Sequence, residues 1–194
     1  MSVLNRSSGF TIIELMLTLL VVGMLAVLAM PMFDRTIQES RIVSQTNELT
    51  SHLGFARSEA AKRPNATITL CPSNDNTSCI ATNNWEGGWI AMLDMDGDET
   101  LDAGDGDAVL KVFGAMSGGN SLQAQSGGGN VDSFQFSGNG QPLASGTFVV
   151  CDGRGAGEAR AVVVMISGQT RLATDENGDG IVNLHGGGAN VTCP

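Results

Sequence analysis

The chain predicts an α+β fold in which one long N-terminal helix lies against a single antiparallel β-sheet formed by the rest of the chain. Three observations carry this. Residues 10–30, FTIIELMLTLLVVGMLAVLAM, form an almost wholly apolar run. Beyond it, Ile42, Thr46, Leu49, Leu53, Ala56 and Ala60 recur every three or four residues, the spacing of one helix face. After Pro64 the texture changes to short β-like runs between Gly- and Asn-rich turns.

As a helix, residues 10–30 are about 30 Å long, the thickness of a hydrocarbon core, so the first half of the helix is expected to span a membrane. Glu14 is the one ionisable side chain in that run. A carboxylate costs roughly 2.5–3.5 kcal/mol at a bilayer centre, so Glu14 needs a partner. A secretory signal peptide competes with this reading, with cleavage after Val27-Leu28-Ala29 leaving Met30 first. Against it, the apolar run exceeds the roughly 7–15 residues usual for such peptides, and it holds Glu14. Arg6 precedes the run while Arg35 and Arg41 follow it, so basic flanks decide little about orientation.

Residues 1–9, MSVLNRSSG, are polar with one Arg and end at Gly9, which joins Phe10 directly; Glu14 is the fifth residue after that glycine. The Gly-Phe-Thr-Ile-Ile-Glu-Leu string resembles the N-terminus of type IV pilins. The resemblance implies that a prepilin peptidase cuts after Gly9, that Phe10 is N-methylated, and that Glu14 pairs with the N-terminus of a neighbouring subunit. It also implies a pilin-like fold divided into a leader (1–9), a transmembrane or filament-core helix (10–30), an amphipathic continuation (31–63) and a periplasmic head (64–194). The implied location is the inner membrane, single-pass, and then the filament. The implied partners are major and minor pilins, the peptidase and an inner-membrane assembly platform.

Pro31 is expected to bend the helix, and Arg63-Pro64 to end it. Candidate strands are 67–71, 89–93, 109–113, 133–136, 147–151, 161–166 and 171–173. Residues 117–130, SGGNSLQAQSGGGN, read as a mobile polar loop. Trp85 and Trp89 read as core aromatics. The four cysteines, Cys71, Cys79, Cys151 and Cys193, suit disulfides and permit three pairings. Joining Cys71 to Cys79 closes a short polar loop, and joining Cys151 to Cys193 ties the C-terminal end to a strand. A metal site on cysteine is disfavoured, because no CxxC spacing occurs.

The head carries a second resemblance. Gly88-Trp89-Ile90, Leu110-Lys111-Val112-Phe113, Phe136-Ser137-Gly138-Asn139-Gly140 and the run from Gly146 to Cys151 are similar to the GspH/FimT group of minor pilins and pseudopilins. The cysteine placement is nearer to the FimT/FimU pilins than to the secretion pseudopilin GspH.

Charge narrows the partners. Residues 64–194 hold four basic side chains against fifteen acidic ones, a balance of −11 that repels polyanions. Some DNA-uptake members of the group carry Gly-Arg-x-Arg. Here Gly168 and Arg171 match and Gln169 replaces the first Arg, so nucleic acid is not an expected partner. Asp94, Asp96, Asp98, Thr100, Asp102 and Asp105 fall at calcium-loop positions 1, 3, 5, 7, 9 and 12, a candidate Ca²⁺ site, though Glu99 stands where a sharp turn wants glycine. Residues 175–183, DENGDGIVN, read instead as an Asx-rich turn. No nucleophile elbow, zinc-protease or P-loop pattern occurs, so no enzyme activity is expected. The resulting expectation is a minor pilin of a type IV pilus that primes or caps the filament. The alternatives are a GspH-like pseudopilin of type II secretion and a DNA-uptake pilin.

Overall fold

The computed structural model describes residues 9–102 and 104–194, with no side chain described for 28–32. The leader at 1–8, with Arg6, and the expected bend at Pro31 lie outside the described residues. The chain divides into two compact units, Met1–Ser40 and Arg41–Pro194.

In the first unit helix α1 (Ile12–Ala61) begins. Thr11 caps it: its hydroxyl accepts the N–H of Glu14 at 3.3 Å and its carbonyl that of Leu15 at 3.1 Å. Glu14 stands three residues after the cap, the spacing of a capping box, where the helix dipole favours negative charge. The large apolar side chains from Ile12 to Val27 are all exposed, as are Phe33 and Ile37.

Among the described residues no helix is long and apolar enough to cross a membrane. This corrects the membrane-spanning first half of the fold, the transmembrane helix at 10–30 and the single-pass inner-membrane location expected with them.

In the second unit the rest of α1 supplies one wall of the core. Ile42, Thr46, Leu49, Leu53, Ala56 and Ala60, the stripe read from periodicity, are all buried. The helix ends within a residue of the expected place, as Pro64 requires. His52 sits on the same wall with its ring centroid 3.9 Å from that of Phe113 and 5.5 Å from that of Trp89. Burial, with help from the Lys111 charge, lowers its pKa to about 4, so the ring is neutral at ordinary pH.

Two antiparallel sheets face this wall where a single sheet was expected. The strands are β1 (Thr67–Pro72), β2 (Trp89–Asp94), β3 (Ala108–Phe113), β4 (Ser121–Ser126), β5 (Gly129–Val131), β6 (Phe134–Phe136), β7 (Gly146–Cys151), β8 (Arg160–Val164) and β9 (Thr170–Leu172). They order as β3-β2-β1-β6 and β5-β4-β7-β8-β9. Trp85, Phe136 and Phe148 join Ile42, Leu49 and Leu53 in the main core. A second, smaller cluster forms where Val191 and the C-terminal segment cover Val149, Cys151 and Ala161. Cys151 bonds Cys193 there, with Cα atoms 5.8 Å apart, and Cys71 bonds Cys79 with Cα atoms 5.5 Å apart.

The segment read as a mobile loop, 117–130, forms β4 and most of β5. Leu122 and Ala124 alternate inward at full burial, a strand period, and Gly127 and Gly128 turn the chain at φ 60° and 87°. Ser117, Gly118 and Asn120 are tethered to α1: Arg41 donates to the Gly118 carbonyl at 3.2 Å and the Gln45 amide to that of Ser117 at 3.0 Å, while Asn120 donates to Gln45 at 2.6 Å.

Candidate functional site

Two regions carry chemistry, and they differ in kind. The first is the start of α1. Gly9 and Phe10 precede the helix, and the Phe10 ring is exposed. Glu14 follows one turn later amid exposed Ile, Leu and Met side chains. In isolation this carboxylate has only the helix start to serve. In a bundle of like helices it becomes a costly buried charge unless a cation meets it.

The second region is the hairpin between β2 and β3. Asp94, fully buried, ends β2, and the residue before it, Leu93, pairs with Ala108 at the start of β3. Carboxylate oxygens of Asp94, Asp96 and Asp107 lie within 4.8 Å of one another, a group that could hold a metal ion. This differs from the ligand set read from loop spacing. Asp94 and Asp96 are in the group, whereas Asp98, Asp102 and Asp105 fall outside it, and the N–H of Thr100 donates to the Asp98 carboxylate at 2.8 Å. Asp107 was missed because it lies beyond a twelve-residue loop. Pairing the two expected strands end to end, 89 with 113, would have put Ala108 opposite Asp94; the register shift between Ala91 and Met92, which loop spacing does not announce, brings Asp107 into line instead.

The loop is ordered by its own carboxylates. Asp94 accepts the N–H of Gly97 at 2.6 Å, that of Glu99 at 3.2 Å and the Thr69 hydroxyl at 2.7 Å. Asp107 accepts the N–H of Met95 at 2.9 Å and of Asp102 at 3.3 Å. The sharp turn exists despite the missing glycine, because Glu99 itself adopts φ 68°. Burial, then the charges of Asp105, Asp107 and Asp98, push the Asp102 carboxyl above its usual range.

The remaining candidates separate from both regions. Asp175 accepts the N–H groups of Gly178 at 2.7 Å and Gly180 at 2.8 Å, an Asx turn. Arg171, in β9, pairs with Glu176 at 3.2 Å. That ion pair offsets the charge a phosphate contact would use. Trp85 and Trp89 are both buried core.

A family model described as type II transport protein GspH matches residues 45–170. A second, the prokaryotic N-terminal methylation motif, matches residues 4–30. No protein of curated function matches the chain. Among solved structures the chain is similar to the type IV minor pilin FimU of Pseudomonas aeruginosa strain PAO1. The likeness has 19% identity and a TM-score of 0.53, covering 71% of this chain and 91% of that one. A second crystal form of FimU gives 20% identity and a TM-score of 0.48, over 68% and 91%. At such identity the likeness speaks for the fold.

Proposed function

Since this chain belongs to the GspH family, and so is a structural subunit of the pilin and pseudopilin type rather than an enzyme, we propose that it is a minor pilin of a type IV pilus that primes or caps the filament. One observation carries the proposal: an exposed apolar helix start whose single carboxylate, Glu14, follows Gly9-Phe10. Its mechanism is noncovalent. After cleavage at Gly9 and methylation of Phe10, the apolar surface of α1 packs among the helices of other pilins. Glu14 then meets the N-terminal amine of a neighbour and sets the axial register, since an unpaired carboxylate in such a bundle is costly. The FimU-like fold of the head supports the pilus reading.

Glu14→Leu and Glu14→Gln variants of the full chain test this, with the amount in sheared filaments measured against the amount retained by cells. Both are expected to fall by about tenfold or more, since tenfold is only about 1.4 kcal/mol of a charge pair. Gln can still serve a capping box, so normal incorporation of Glu14→Gln would reduce Glu14 to a cap and sink the pairing. The second reading, a pseudopilin of type II secretion, is favoured by the family description itself. It predicts the chain with secretion pseudopilins and absent from pili.

For the acidic hairpin the proposed cation is Ca²⁺, since Asp94, Asp96 and Asp107 offer only hard oxygen ligands. Calorimetric titration is expected to show heat with calcium chloride that Asp96→Asn removes; Asp96 is exposed, so the fold survives the change. A flat titration at millimolar calcium would reject it.

A further inference from the structure

The edges of the two sheets are not alike. On the outer side of β6 the carbonyl of Gln135 accepts the N–H of Leu143 at 3.0 Å, and Phe136 bridges Pro142. β5 and β9 have three residues each, and the Val131 carbonyl of β5 accepts the Trp85 indole at 3.0 Å. β3 has six residues and is the end strand of its sheet. Among the described residues no hydrogen bond beyond its ladder to β2 engages it. Ala108, Lys111 and Val112 along it are exposed.

Such an edge is a template for another strand unless it is guarded, most often by an outward lysine. Here the guard is turned away. The Lys111 ammonium lies 5.0 Å from the Phe55 ring centroid and 5.3 Å from that of Phe113, drawn back over the aromatic rings on the α1 side. No proline interrupts the strand, and one irregularity divides it, the register shift that leaves Leu110 without a partner in β2.

Charge says what fits. β3 leaves the hairpin that carries Asp96, Asp98, Asp102, Asp105 and Asp107, and no Lys or Arg lies between Pro64 and Leu110. An incoming antiparallel strand, the commoner pairing, ends its course beside those carboxylates. A second copy brings another head of the same sign, which repels.

We propose that β3 is a docking edge for an extended strand from the head of a different pilin-type subunit, one with Lys or Arg just past the strand's C-terminal end. Backbone hydrogen bonds supply the pairing, and the acidic hairpin selects the partner and its direction. The proposal rests on the assembly reading above, and its test separates the two.

A photoreactive benzoyl-phenylalanine is placed at Val112 of the full chain, and separately at Leu15 on the exposed start of α1, in cells that make the whole assembly system. The expected result is a Val112 adduct with a distinct pilin-type subunit, mapped by mass spectrometry to a strand followed by Lys or Arg. Adding Ala108→Lys, a cation at the acidic end of an exposed position, is expected to lower that adduct by about tenfold while leaving the Leu15 adduct unchanged. A Leu15 adduct without a Val112 adduct overturns the docking edge and leaves assembly standing. So does a Val112 adduct with a second copy, or one indifferent to Ala108→Lys. Loss of adducts at both positions overturns both readings.

Discussion

Replacing Trp85 with alanine is expected to destabilise the head by about 3–5 kcal/mol, the cost of truncating a fully buried aromatic. Trp85 is 0% exposed and meets Phe148 edge-on, with ring centroids 5.4 Å apart. Its indole donates to the Val131 carbonyl at 3.0 Å, and its backbone N–H to that of Leu122 at 3.1 Å. The side chain therefore ties the β4–β5 hairpin to the rest of the core. Trp85→Phe keeps most of the volume and loses the indole hydrogen bond, at about 1–2 kcal/mol. Urea unfolding followed by near-ultraviolet circular dichroism measures both. A loss below about 1 kcal/mol for Trp85→Ala would mean that this hairpin is not part of the cooperative fold.

Gly168→Ala is expected to cost about 2–5 kcal/mol for two independent reasons. Gly168 has φ 78°, where an L side chain is strained by about 1–2 kcal/mol. A Cβ there would also overlap the carbonyl oxygen of Gly140 and the Arg57 side chain. Backbone atoms of a neighbouring turn yield little, and such overpacking adds about 1–3 kcal/mol. Arg57 donates to the Ser167 carbonyl at 3.2 Å, so the site joins α1 to two turns of the head. Gly157→Ala, where a Cβ meets nothing within 4 Å, serves as the control and is expected to be near neutral. Equal stability of the two variants in the same unfolding assay would contradict the close approach.

That glycine shows where reading residues reached and where it stopped. Gly168 opens the Gly-x-x-Arg stretch compared with DNA-uptake pilins, yet its place here is explained by the turn at Gly140. Nothing local in sequence announces that approach. Gly138 is similar: a Cβ would come within 2.5 Å of the Pro64 backbone, a contact across the fold. The helix stripe from Ile42 to Ala60 was legible because its period belongs to the helix itself. Strands such as β1, β2, β7 and β8 were legible because β-branched and aromatic residues are concentrated there. The β4–β5 hairpin was missed because Gly and Ser composition outweighed a short alternation at Leu122 and Ala124. The acidic hairpin was found, with a ligand set that differs from the group of carboxylates the fold brings together. Loop spacing weighs neighbours along the chain, whereas Asp107 reaches Asp94 across a strand pairing. The apolar run at 10–30 was legible as an unusual helix, but its expected span of a membrane was not supported.

The central claim is that the chain enters assembly through a processed N-terminus that presents Phe10 and Glu14. The intact mass and N-terminal sequence of the mature protein from its own cells test that claim most directly. The account predicts a chain starting at N-methylated Phe10. A start near Met30 would contradict it, because Glu14 would then be absent from the mature subunit.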